Sequence, residues 1–454
     1  MPTTPTLTYD ALKAAVTGGA AALRLTLRLE AVSPKVFPPT YEGGKYATEE
    51  RVIGGVKLPC VLLDSVPSQA NRMEAALQDA YDGGEIKLPV VTTDFSKSKE
   101  TESDPHLRRF RISSLQAPHR IADAILRDAS IVEVGKKPVK FKDTEIGKAL
   151  DDEIDFGNAT RLLEYAPHCL VFGLWHSTGE KRRAMGVKFA RALISEITGF
   201  NAIPSVTTSS RLDPLGIQRL IDKEDDKGGV RIYKAKNGGW TLSKDDAEQA
   251  GGKPVLYGKK GKPSEINHGN VTPDIAVRRD KLNNPILRDL ERTGHQFLTK
   301  DESRRISKGG FTIDYAEQVT VLSLPALRRL RFPARLGDKS TPVGDLAART
   351  YLAAIGLLGA TLAVENGYDL RSRCVLRATD AVTWQLLGRP GEADQSFALD
   401  KAAALALYAA ALAAVQAAKL PVHLDELTLT PSADLVTLVK KSMENPTVVA
   451  EEEA

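Results

Sequence analysis

The sequence predicts an α+β fold, a sheet covered by helices, from three observations. These are an alternating strand near the N-terminus, three successive strand-to-helix units, and two apolar helical stripes in the C-terminal third. In the first, Leu23, Leu25, Leu27 and Leu29 alternate with Arg24, Thr26, Arg28 and Glu30 across Ala21–Val32, the period-two pattern of a half-buried strand. Its polar face carries two arginines, which suit either phosphate or a solvated sheet surface.

The elements follow in order. A Gly- and Pro-rich loop, Ser33–Pro59, leads to the apolar run Cys60–Leu63, which passes through Asp64 and Ser65 into a helix. Met73, Ala76, Leu77, Ala80 and Tyr81 share a stripe of that helix, and Gly83 with Gly84 stops it. In the second unit Leu107–Ile112 is extended, and Pro118 opens a helix whose Ile121, Ala122, Ile125, Leu126 and Ala129 share a face. The third runs from a strand at Cys169–Phe172 through Gly173 to His176. It continues into a helix with Phe189, Ala190, Leu193, Ile194 and Ile197 inside, ended by Gly199.

From Asp225 to Lys308 the pattern dissolves into glycine, lysine and proline. Its 18 lysines and arginines against 12 acids leave a surplus of 6 and read as a basic insertion of hairpins and loops. Phe311–Leu324 returns to alternation, the remainder reads as helical with stripes in Asp345–Val364 and Ala398–Lys419, and Glu451–Glu453 form an acidic tail. The expected organisation is residues 1–224, an insertion over 225–308, and 309–454.

Composition narrows the function. With 42% hydrophobic and 26% charged residues among 454, the chain is globular and disorder is excluded as a default. A net charge of +4 attracts polyanions only weakly, so any nucleic-acid site must be a local patch. Cys60, Cys169 and Cys374 stand far apart, without the spacing of a disulfide framework or a zinc site, and fit a reducing cytoplasm. Met1–Asp10 lacks a basic stretch followed by an apolar run, so no secretory leader is expected. Ala402–Ala418 is uncharged but diluted by alanine, and reads as a buried helix, not a membrane span.

Catalytic signatures are missing: there is no GxSxG elbow, no GxxxxGK[ST] phosphate loop, no HExxH and no GxGxxG. Seven histidines are scattered, and His168 with His176 lacks a third ligand at metal spacing. Asp64, with Glu49 and Glu50 upstream, stands where a strand enters a helix; capping is the commoner role there and catalysis the rarer one. His119 beside Arg120, or His176 near Lys181, offers a general base for RNA cleavage, a reading that spacing alone does not support.

Basic clusters say more. Arg108-Arg109-Phe110-Arg111 interleaves an aromatic with three cations, and His176–Arg191 holds five cations against Glu180 beside Trp175, at what reads as the start of a helix. Amides at a helix start, arginine forks and exposed aromatics together suit single-stranded RNA, although a solvated surface explains each cluster alone. Ser307–Phe311 resembles a fragment of the aromatic RNA-binding strand of an RRM. Arg328, Arg329, Arg331 and Arg335 form a further cluster, facing RNA or a neighbouring subunit.

Three strings carry a family resemblance: Lys35-Val-Phe-Pro-Pro-Thr-Tyr-Glu-Gly-Gly44, Tyr46-Ala-Thr-Glu49, and Leu63-Asp-Ser-Val-Pro-Ser-Gln-Ala-Asn-Arg-Met-Glu74. With Gly173–Arg183, they resemble the backbone subunit (Cas family seven, RAMP superfamily) of the type I-G, formerly I-U, CRISPR Cascade complex. The resemblance covers the N-terminal part of the chain and no motif of the basic insertion.

It implies an RRM-like, ferredoxin-type palm with large helical and loop insertions. It further implies a non-catalytic subunit without cofactor or metal that coats the CRISPR RNA guide in a head-to-tail filament of its own copies. The implied partners are the CRISPR RNA, the target DNA strand paired to it, the large subunit, and the subunit that processes and caps the guide end. Gln69, Asn71 and above all Arg72 are the expected RNA ligands, with Lys35 and Arg51 of the same region. Arg108, Arg109 and Arg111 form a second group, Trp175, His176, Lys181, Arg182 and Arg183 a third, and Lys259 and Lys260 belong to a possible thumb. In related RNA-targeting complexes an aspartate of the backbone subunit cuts the target, which keeps Asp64 in view. The glycine-rich loop near the C-terminus of many RAMP proteins is not evident, against the rival expectation of a RAMP endoribonuclease that processes CRISPR RNA. A protein-binding α+β module is a third reading.

Overall fold

The computed structural model describes residues 4–41, 45–132, 135, 137–176, 187–205, 207–211, 230–258, 261–266, 271–276, 309–335 and 337–444. The chain divides into two compact units, Met1–Ala202 with Thr312–Ala454, and Ile203–Phe311. The second begins earlier than the expected insertion, because β pairing resumes beyond Ala202 in short ribbons: Thr207–Arg211 with Val271–Ala276, Tyr233–Lys234 with Trp240–Thr241, and Gln249–Ala250 with Lys253–Pro254.

A nine-stranded antiparallel sheet forms the larger unit. Its chain order is β1 (Ala22–Ala31), β2 (Thr48–Ile53), β3 (Val56–Asp64), helix α1 (Val66–Asp82), β4 (Leu193–Phe200) and β5 (Tyr315–Ser323). Helix α2 (Pro342–Glu365) then leads to β6 (Tyr368–Arg371), β7 (Cys374–Ala378), β8 (Thr383–Leu387), β9 (Gln395–Ala398) and helix α3 (Lys401–Ala417). In space the strands read β6-β7-β1-β5-β4-β3-β2, with β8 also beside β1 and β9 beside β8.

Reduced to β1-α1-β4-β5-α2-β7, this is a βαββαβ unit in which the fourth strand lies beside the first, the first beside the third, and the third beside the second. That is the ferredoxin-like split βαβ. The α+β class read from the sequence holds, and the strand order is compatible with an RRM-like palm.

Period-two alternation explains which face is covered. Leu23, Leu25, Leu27 and Leu29 are each 0% exposed beneath the helices, at about 2 kcal/mol per buried leucine. Thr341 caps α2 by accepting from the Gly344 amide, and Pro342 occupies its first turn. A side chain on Gly356 would stand 3.0 Å from Leu193 and 3.2 Å from Val171, so glycine there lets α2 lie close on β4. By length and composition α2 is able to cross a membrane, but it is buried on nearly every side, the pattern of a central core helix. Helix α3, expected to be buried, packs along it, with the Tyr351 and Tyr408 hydroxyls 3.2 Å apart.

Several local expectations are corrected. The loop Ser33–Pro59 contains the β2–β3 hairpin, turned by Gly54 and Gly55, both at positive φ. Leu107–Ile112 is not one extended run: Asp104 caps a helical turn, Pro105–Arg108, before the strand Arg111–Ser113. The helix expected from Pro118 breaks, because the Asp123 carboxylate accepts from the His119 and Ile125 amides and restarts the chain as Ala124–Arg127, followed by the strand Ala129–Ile131. His168–Phe172 is helical, ended by Gly173 at φ 96°.

The largest error lies at Phe189–Ile197, expected as a helix and folded as the end of strand Val187–Phe189 followed by β4. Leu193 and Ile197 fit both periods; Ser195, buried through hydrogen bonds between them, hid the strand period. Beyond α2, strands β6 to β9 occupy a stretch read as helical. Leu427–Pro431 joins a second sheet in the order Arg111–Ser113, Val91–Asp94, Leu427–Pro431, Ala129–Ile131, Val139–Lys140. The acidic tail Glu451–Glu453 lies outside the described residues.

Candidate functional site

The junction of β3 and α1 gathers the most polar chemistry in the core. Ser65, not Asp64, caps α1, accepting from the Ser68 amide. Asp64 is 0% exposed and accepts from four donors: Ser68 Oγ (2.8 Å), Gln69 Nε2 (2.7 Å), Arg72 Nε (2.9 Å) and Arg371 Nη2 (3.0 Å). Arg72 also donates to the Leu370 carbonyl at 2.7 Å, and Arg371 to the Leu63 carbonyl at 2.7 Å, so the two arginines buckle α1 and β3 to β6. Both carboxylate oxygens are thus occupied and two charges neutralise one, which leaves no lone pair aimed at solvent for catalysis.

Gln69 extends this network into the sheet. Its Oε1 accepts from Ser195 Oγ and Gln318 Nε2, both at 2.9 Å, while Gln318 Oε1 accepts from the Tyr368 hydroxyl at 2.7 Å. Burial raises the Tyr368 phenol, which keeps it a donor. A neighbouring cluster is equally enclosed: Arg120 meets Glu74 through two bonds of 2.7 and 2.8 Å, and burial holds Glu74 above the usual carboxylate range despite that partner. Beside it, burial lowers His168 to about 3 and raises the Cys169 thiol to about 12, so neither is charged near neutrality.

The expected RNA ligands therefore separate. Gln69 is withdrawn from the surface, because both ends of its amide are used inside. Arg72 is one-third exposed but committed to Asp64. Asn71 is exposed on the outer side of α1, and Lys35 is half-buried in the loop after β1. Arg51 bridges Glu49 and Glu196. Arg108 and Arg109 are exposed, with Arg109 5.2 Å from the Phe110 ring, whereas Arg111 pairs with Glu426.

Trp175 and His176 alternate on the strand Leu174–His176, so the indole faces out at 66% exposure and the imidazole faces in. His176 Nε2 lies 3.1 Å from Asp151 Oδ1. The expected helix start there is instead a two-stranded hairpin, with Lys188 5.7 Å over the Trp175 ring. Lys181, Arg182, Arg183, Lys259 and Lys260 lie outside the described residues. His119 is exposed, and its amide donates to Asp123 Oδ2 at 3.0 Å.

The sheet face opposite the helices was legible in part, through the two arginines on the polar side of β1. It carries Arg24, Thr26 and Arg28 of β1, Tyr315, Glu317, Val319 and Val321 of β5, and Ile194 and Glu196 of β4. The Arg28 guanidinium lies 3.9 Å from the centre of the Tyr315 ring, which stacks on Phe200 at 4.9 Å with an interplanar angle of 13°. Arg24 is held by Gln385 Oε1 (2.8 and 3.2 Å), and Arg377 pairs with Glu30. Phe200 is 1% exposed, so the stack presents the exposed Arg28 guanidinium, with Glu317 opposite it in the register, and a guanidinium plane suits a base or a phosphate. The alternation of β1 and of Phe311–Leu324 gave the signal, but their cross-strand register was invisible.

Residues 23–204, from β1 past the end of β4, match the family model described as CRISPR-associated protein GSU0053. No curated protein matches the chain. The matched segment contains β1, the β2–β3 hairpin, Asp64 with its donors Ser68, Gln69 and Arg72, α1 and β4, and it supports reading the chain as a CRISPR-associated protein.

Proposed function

We propose that this chain is a non-catalytic RNA-binding subunit of a type I CRISPR surveillance complex, the backbone subunit of the type I-G class. Several copies coat the guide RNA in the cytoplasm and hold it for pairing with target DNA, together with the large subunit and the guide-end subunit. The observation that carries the reading is the half-exposed sheet face of a ferredoxin-like unit, where exposed Arg28 stacks on Tyr315 above buried Phe200, in a chain whose N-terminal part matches a CRISPR-associated family. Such a sheet offers stacking and backbone contacts without reading sequence, which is what a guide-coating subunit requires. Saturation of Asp64 by four donors favours this reading over cleavage by that carboxylate.

The test is expression of the chain with a CRISPR array, followed by sequencing of copurified nucleic acid and light scattering of the assembly. The expected result is guide-length RNA in large regular particles, lost or shortened with Arg24→Ala plus Arg28→Ala. Nucleic-acid-free monomer from the unaltered chain would defeat the proposal and favour the protein-binding reading.

A further inference from the structure

An arginine cluster remains outside every site described so far. Arg328 directs both terminal nitrogens at the carbonyls of Gly18 and Ala20, just past the C-terminal end of the helix Tyr9–Thr17. Arg389 comes from the turn after β8 and lies along the same backbone: a Cβ on Gly19 would stand 2.5 Å from its Nε, so the side chain lies directly against the glycine. Arg331 donates to the Arg328 carbonyl at 2.7 Å and approaches Asp345 at 3.4 Å, beside Arg349, which holds the same carboxylate at 3.0 Å.

The charges do not balance. Asp345 is buried and divides itself among the Phe332 amide, Ser340, Arg331 and Arg349. Glu392 lies on the Arg389 turn and accepts from the Arg389 amide at 3.2 Å. The carbonyls at the helix end offset part of the Arg328 charge. Arg328 and Arg349 are nevertheless both held below the usual guanidinium range, first by burial and then by neighbouring arginines. Like charges gathered from separate chain segments cost stability unless an anion joins them. Arg331 and Arg389 are the exposed members; Arg331 spends Nη1 on the Arg328 and Leu330 carbonyls, which leaves its Nη2 edge, like the Arg389 fork, for donation to an acceptor.

We propose that Arg328 and Arg389 at the Gly18–Ala20 turn, with Arg331 beside Arg328, form a seat for the phosphodiester backbone of single-stranded RNA. The proposal rests on the reading of the chain as an RNA-binding subunit and gives it a second contact region, away from the open sheet face. Arginine suits it because a planar fork grips two phosphate oxygens at once, whatever the base.

The experiment uses the full chain and a fluorescein-labelled uridine 30-mer, with binding measured against salt concentration. Arg331→Ala plus Arg389→Ala is compared with Arg331→Lys plus Arg389→Lys and with Arg108→Ala plus Arg109→Ala. Thermal unfolding of each variant monitors the fold. Loss of two phosphate contacts is expected to weaken binding roughly tenfold and to lower the salt slope by about 1.4, since each contact on a single strand contributes about 0.7. The lysine pair is expected to retain most of the slope and part of the affinity.

Unchanged binding in the alanine pair would overturn this seat while leaving the RNA-binding reading intact. Failure of the unaltered chain to bind RNA would overturn both. Equal binding of a thymidine 30-mer would extend the seat to DNA phosphates and support the same chemistry. Competition by polyglutamate as strong as that by RNA would overturn it in favour of an acidic protein segment.

Discussion

At the junction of β3 and α1 a buried aspartate meets two arginines, and the chemistry of that meeting separates support from catalysis. Among the described residues Asp64 is the sole carboxylate bonded to Arg72 and Arg371, whose side chains are 34% and 26% exposed. Removing it strands two partly buried cations and three chain segments they tie together. Asp64→Ala is therefore expected to cost about 2–3 kcal/mol, below the cost of breaking a fully enclosed pair because water reaches both guanidinium groups. Urea unfolding measures this: a midpoint equal to that of the unaltered chain would remove Asp64 from the support of the fold and reopen a functional role. The same logic bears on Arg72. Its substitution would disturb RNA binding through the fold as much as through any phosphate contact, so Arg24 and Arg28 are the cleaner probes of the surface.

Elements reveal where sequence patterns carry structure and where they mislead. β1 was legible because its buried face is pure leucine, and α1 because Ser65 and Gly83 bracket an apolar stripe. β4 was not, since Ser195 sits on its buried face with a hydroxyl satisfied by Gln69, Gln318 and Thr320, partners far away in sequence. Strands β6 to β9 are short, and their stabilising pairs are cross-strand, which one-dimensional periodicity does not register. The same limit hid the Tyr315–Phe200 stack, while the commitment of Arg72 to Asp64 depends on an arginine, Arg371, some three hundred residues along the chain. Helix α2 offers the element-scale prediction. Gly356→Val inserts a branched side chain where a single Cβ already meets Leu193 at 3.0 Å, forcing α2 away from β4. A loss of about 2 kcal/mol is expected from overpacking, with β-branching adding to it. Equilibrium denaturation reads it, and a neutral result would mean that α2 has slack against the sheet.

On the scale of the whole molecule, the ferredoxin-like order makes one excision predictable. β4 and β5 are consecutive strands of that unit and lie side by side, with Phe200 opposite Tyr315 in the antiparallel register. The ends of the intervening chain are already close, since Asn201 donates to Asp314 at 2.5 Å and the Asp314 amide donates to the Phe200 carbonyl at 3.0 Å. The unit Ile203–Phe311 is thus inserted at the tip of a hairpin, a position where chain length adds little to the cost of closing the sheet. Replacing residues 203–311 by a short Gly-Ser turn is expected to leave the remaining unit folded, with a cooperative thermal transition and unchanged tryptophan burial at Trp384, which is 0% exposed. Loss of cooperative unfolding would mean that the sheet depends on the inserted unit. If the shortened chain folds, its RNA binding separates the two contributions: affinity retained would place the grip on the open sheet face and the arginine cluster, whereas affinity lost with the fold intact would assign it to the basic insertion, whose surplus of positive charge the sequence displays.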